Sequence, residues 1–212
     1  VGPVAASGFH VVNKPQDYGS LGHYRFAGVT GAIAAGMAAN GEVFQFRWSD
    51  ATRFALIQKV RVVGMRTTTA FAVGTIDLKM TRATAWSANG TGGTALTLTD
   101  PQLQLRPPLM GPTLAADIRI ATTAALGAGT KTLDTQDMGF IVTHSSAGTG
   151  GATPIIGSTY LPITELFEQD TGDGEHPLVL SQNEGFVIRA TVPATGVWNI
   201  GISIRWAELA AF

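Results

Sequence analysis

The segment VWNIGISIRW, Val197–Trp206, sets Trp198, Ile200, Ile202, Ile204 and Trp206 in strict alternation with Asn199, Gly201, Ser203 and Arg205. A helix turns by about 100° per residue and would scatter five large apolar side chains around its axis, whereas a strand places them all on one face. The segment is therefore a strand with one buried face. Its apolar weight predicts a place inside a sheet and not at an exposed edge.

The same period of two recurs along the chain. VFQFRW sets Phe44, Phe46 and Trp48 against Val43, Gln45 and Arg47, and TIDLKMT sets Ile76, Leu78 and Met80 against Asp77, Lys79 and Thr81. ALTLTD and DIRIATT are shorter examples, and GFVIRAT is partly apolar on both faces. Two stretches read differently. In FALIQKVRVVGM, Ser49 or Asp50 is placed to cap a short helical turn through Phe54 and Ile57 before a strand resumes. ITELFEQ, after Pro162, suits a single helical turn.

Glycine-rich turn signals separate these strands at 88–94, 106–112, 127–130 and 145–154. PATG at 193–196 reads as a tight hairpin in which Gly196 takes a positive φ. About eight strands, no interleaved helices and no fixed repeat predict an all-β, antiparallel sandwich. Long irregular loops favour a jelly roll over an up-and-down barrel. The expected organisation is an extended N-terminal arm over residues 1–24 and a jelly-roll β-sandwich domain over 25–212. In the arm, Phe9, Val11, Val12, Tyr18 and Tyr24 would expose apolar groups if it hung free, so it is expected to lie on its own domain or on a neighbour.

Composition narrows the partners. Of 212 residues, 45% are hydrophobic and 14% charged, below the roughly 25% charged of an average globular protein. So few charges on a chain this apolar suggest that neighbouring subunits cover part of its surface. A net charge of −1 offers no field for nucleic acid or an anionic membrane, and no apolar run reaches the length of a membrane span. The opening residues lack the basic start and apolar middle of a secretory signal. With no cysteine, disulfides and thiolate metal sites are excluded.

The one charge-dense passage is ELFEQDTGDGEH, Glu165–His176, which holds Glu165, Glu168, Asp170, Asp173 and Glu175. It departs from a calcium loop, since Gly172 stands where the second acid is needed and no ligating glutamate follows at the required distance. A loose site for a hard cation, a paired-carboxylate glycosidase centre and a polar turn facing a neighbour's basic groups are the readings weighed, and the polar turn is favoured. His10, His23, His144 and His176 are scattered and form no zinc pattern, and no nucleophile motif or phosphate loop is present. No catalytic, cofactor-binding or metal-ligating residues are assigned, and no cofactor is expected. Trp86, in the polar setting RATAWSANG, is the candidate exposed aromatic contact. Candidate interface residues are thus Phe9, Val11, Val12, Tyr18, Tyr24, Trp86, Asp170, Asp173 and Glu175.

The phrases GHYRFAGVTGAIAAGMAANGEVFQFRW, IQKVRV, DIRIATTAALGAGTKTLD and HPLVLSQNEGFVIRATVPATGVWNIGISIRWAE resemble a group of tailed-bacteriophage virion proteins, across nearly all of residues 22–209. The resemblance implies a non-enzymatic jelly-roll virion component of the capsid decoration (cement) or head-fibre type, located in the virion after assembly in the host cytoplasm. It implies contacts with the major capsid protein or other virion proteins and a homo-oligomer, dimer or trimer, and carries no catalytic residues. A receptor- or glycan-binding fibre module is the alternative expectation.

Overall fold

The computed structural model describes residues 21–34, 37, 39–69, 72–96, 116–145, 164–169 and 177–210. Eleven strands are formed among them: β1 (Gly22–Val29), β2 (Gly41–Trp48), β3 (Phe54–Thr69), β4 (Gly74–Ala88), β5 (Thr94–Ala95), β6 (Ala116–Ile120), β7 (Thr130–Ser145), β8 (Thr164–Glu168), β9 (Leu178–Leu180), β10 (Glu184–Thr191) and β11 (Val197–Leu209). One sheet runs β1-β11-β3-β8, with β9 also paired to β3. The other runs β5-β6-β2-β10-β4-β7. Every pairing is antiparallel, and the two sheets pack face to face as a β-sandwich.

The alternation expected in β11 is realised. Trp198, Ile200, Ile202, Ile204 and Trp206 are all buried in the core, and β11 is interior to its sheet, flanked by β1 and β3. Ile76, Leu78 and Met80 of β4 and Phe44, Phe46 and Trp48 of β2 face them from the other layer. A chain of rings ties the layers together. Tyr24 stacks on Trp206 with centroids 5.5 Å apart, Trp206 meets Phe46 edge-on at 5.5 Å, and Phe46 stacks on Phe186 at 5.2 Å. Such pairs contribute roughly 0.5–1.5 kcal/mol each beyond their burial.

Four local expectations are corrected. Asp50 does cap a turn, accepting hydrogen bonds from the amides of Thr52 and Arg53 at 2.7 and 3.0 Å, but the chain leaves that turn as strand β3. Pairing with β11 from Phe54↔Leu209 to Thr69↔Val197 overrides the local helical signal. Residues 164–168 form strand β8 instead of a helical turn, because they pair with β3. The 193–196 turn has Gly196 at φ 124°, as anticipated, yet it makes no hairpin: β10 and β11 belong to different sheets, so this turn carries the chain across the sandwich. Strand β1 begins at Gly22, inside the segment expected to be arm, and the remainder of that arm lies outside the described residues.

Gly139 of β7 lies against the backbone of β8 in the other sheet. A Cβ there would overlap the Leu166 carbonyl of β8, so only glycine lets the two backbones meet.

Candidate interaction surfaces

The carboxylates that opened the question of chemistry resolve first. Facing β3 along β8, Glu165 pairs in register with Arg61 and Glu168 with Lys59. Glu165 Oε1 accepts from Arg61 Nε at 2.9 Å and lies 2.6 Å from Lys59 Nζ, while Glu168 also contacts Lys59 Nζ. A hydrogen bond from the Glu168 carboxyl, with those from Lys59 and Arg61, pulls the Glu165 pKa down to about 2. A glycosidase needs a proton donor held above its normal range, and Glu165 is shifted the opposite way. These contacts form a charge ladder that docks β8 onto β3. Because the folded pKa lies below the ordinary value of 4.5, its contribution is present above that value and is lost as pH falls towards 2. Protection factors of the β8 amides, measured against intrinsic exchange at each pH, are expected to fall across this window ahead of those of β2 and β10, and Glu165→Gln is expected to remove that fall.

Trp86 is not a surface contact. It is 1% exposed and packs with Ala83, Val187 and Leu133 on the outer face of the six-stranded sheet. Ala85, at φ 49°, kinks β4 and lets the ring fold back, and at Gly185 a Cβ would stand 2.9 Å from that ring. Its Nε1 donates to the Ala88 carbonyl at 3.1 Å. The signal available in the sequence was Val187, an apolar residue on the outward face of β10, preceded by Gly185. Tyr24 is likewise buried within its own chain, against Trp206. Burial, then the Glu208 carboxylate, raises its hydroxyl pKa to about 12. Phe9, Val11, Val12, Tyr18, Asp170, Asp173 and Glu175 lie outside the described residues.

Beside Trp86, Lys131 Nζ sits 4.6 Å from the ring centroid and 2.9 Å from Glu42 Oε2, with both charged side chains buried. Gln45 Nε2 donates to the same Glu42 oxygen at 2.5 Å and to the Gly127 carbonyl at 2.9 Å. Backbone bonds from Ala121 to Val43 and from Leu126 to Glu42 lay the 121–129 segment over this group. Further along the sheet, Asp137 accepts from Thr81 Oγ1 at 2.6 Å and Arg189 at 2.7 Å. Burial alone would raise the Asp137 pKa, but these bonds and the Arg189 and Lys79 charges bring it below its ordinary value. Both clusters pair their charges internally, although Arg189 Nε in the second has no hydrogen-bond partner. Among the described residues, no group of three or more histidines and carboxylates could hold a metal ion.

Among the described residues, two apolar surfaces are open. The first is on β7, the last strand of the six-stranded sheet, where Met138, Phe140 and Val142 project outward at alternate positions with exposures of 36%, 69% and 58%. The second is the outer face of β1, β11 and β3, where Val29 and Val63 are exposed beside a groove of about 600 Å³. No family model, curated protein or solved structure matches the chain.

Proposed function

We propose that the chain is a non-enzymatic structural component of a tailed-phage virion, a capsid decoration or cement protein that stabilises the shell through subunit contacts. The observation that carries this reading is the Met138–Phe140–Val142 stripe on an edge strand. Soluble monomers blunt such edges with lysine, proline or a covering element. Here the segment MGFIVTH, 138–144, holds no lysine, arginine, proline or carboxylate. An apolar strand edge left open in a charge-poor chain suits lasting burial against another subunit.

The partners are the major capsid protein or other virion proteins, together with further copies of this chain in a dimer or trimer. The jelly-roll form of the sandwich is supported by strand order. Steps from β1 through β4 each cross between sheets, as do those from β7 to β8 and from β9 through β11, and β4 and β7 are neighbours. That alternation is how a doubled Greek key wraps. The receptor- or glycan-binding alternative relied on a solvent-facing Trp86 and loses that support.

Phe140→Lys combined with Val142→Lys tests the stripe. Both side chains are exposed, so folding stability is expected to change by no more than about 0.5 kcal/mol. The variant is expected to remain folded yet be missing from purified particles. Incorporation at the wild-type level would remove the stripe from any role in assembly.

A further inference from the structure

Three successive cross-strand rows lie on the outer face of the five-stranded sheet, beyond the His23–Ala207–Leu56 row. In the first, Arg25 stands opposite Arg205, Arg205 opposite Lys59, and Lys59 opposite Glu168. The second runs Ala27, Ser203, Arg61 and Glu165, and the third Val29, Gly201 and Gly64. Among the described residues, the carboxylates in these rows enter only from β8 and are occupied by Lys59 and Arg61. Arg25 and Arg205, both exposed, are left facing each other across two strands.

That pair is unlike the other cations. Arg53, Lys59, Arg61, Lys79, Arg82, Arg119, Lys131 and Arg189 each lie within 4 Å of a carboxylate, and Arg47 is hydrogen-bonded to Asn89 and Asn183. Among the described residues, Arg25 and Arg205 have neither kind of partner. Like charges directly opposite on neighbouring strands destabilise a sheet. Two unmatched arginines in register, on a chain with only 14 lysines and arginines, therefore mark a place where negative charge is supplied from outside.

The third row adds shape. Gly201 and Gly64 carry no side chains, so Val29 and Val63 stand as walls of an apolar groove with Met65 and Asn199 alongside. Asn199 is 7% exposed; its Nδ2 donates to the Thr30 carbonyl at 3.0 Å, while its Oδ1 has no hydrogen-bond partner. Along β1, Arg25 and Val29 are four residues apart, about 13 Å at strand rise.

We propose that this face docks an extended acidic segment of a partner protein, which sets a carboxylate between Arg25 and Arg205 and, four residues away, an apolar side chain in the Val29–Val63 groove. A nucleic acid would call for more free cations and a stacking aromatic, and neither is found on the described part of this face. The site is separate from the β7 stripe and does not rest on the virion reading.

The probe is the peptide Ac-Ser-Leu-Thr-Ser-Thr-Asp-Ser-NH2, titrated into the isotopically labelled full chain and followed by NMR, with its Asp→Asn form as control. Saturable shifts are expected at the Arg25 and Arg205 side chains and the Gly64 and Gly201 amides. Affinity is expected to fall about tenfold for the Asn peptide and for the Arg205→Gln chain. In the free chain, Arg205→Gln and Arg25→Gln are each expected to raise Tm, by an amount that shrinks in about 0.5 M salt. No saturable shift at about 5 mM peptide, a weak millimolar regime, would overturn the proposal. So would equal binding of the Asn peptide, or a lower Tm for both arginine variants, which would give the pair a structural role.

Discussion

Lys131→Met is expected to destabilise the chain by about 3–5 kcal/mol, since it strands the buried Glu42 carboxylate without its counter-charge. The Lys131 side chain is 2% exposed, bonded to Glu42 Oε2 at 2.9 Å, and lies over the Trp86 ring. The loss should propagate. The 121–129 segment crosses Glu42 through the Leu126 amide, and Gln45 ties Gly127 to the same carboxylate. Adding Glu42→Gln to Lys131→Met is expected to restore most of the stability, because a neutral amide has far less to lose on burial than an uncompensated charge. Urea unfolding of the two single variants and the double variant measures this directly. Additive losses would mean that the pair does not act as a unit.

Trp206→Ala carries a comparable expectation, a loss of about 3–5 kcal/mol for truncating a fully buried aromatic. Its ring is the junction between layers, stacked on Tyr24 of β1 and edge-on to Phe46 of β2. The cavity would open where the sheets meet, with backbone pairing on both sides of β11 to resist collapse. The Tyr24 hydroxyl reports on the same change. Its pKa is raised to about 12 by burial and by Glu208, and admitting water at position 206 should bring it back towards 10. A spectrophotometric tyrosine titration would register that shift.

What could be read in advance was whatever depends on neighbours two residues apart. The alternation in Val197–Trp206 and in the strand around Leu78 fixes which face meets the core; in β2 it marks Phe44, Phe46 and Trp48 as core side chains, but Val43 and Gln45 on the opposite face are buried as well. Elements whose form depends on distant partners were harder. Asp50 emits a true local capping signal, and only β11, some 150 residues away, turns the following segment into strand. Glu165 and Glu168 look like a free acidic cluster until β3 supplies Arg61 and Lys59. Trp86 reads as exposed because its cover comes from Leu133, Val187 and Lys131, none of them close in sequence. The facing arginines are the extreme case, being 180 positions apart with no local pattern to join them.

The most direct test of the proposed role is the composition of purified phage particles, with this chain quantified against the major capsid protein by mass spectrometry. A fixed, reproducible stoichiometry that survives repeated banding is expected, together with its loss when Phe140 and Val142 are both replaced by lysine. Recovery of the chain only from host lysate, and never from particles, would contradict a structural role in the virion.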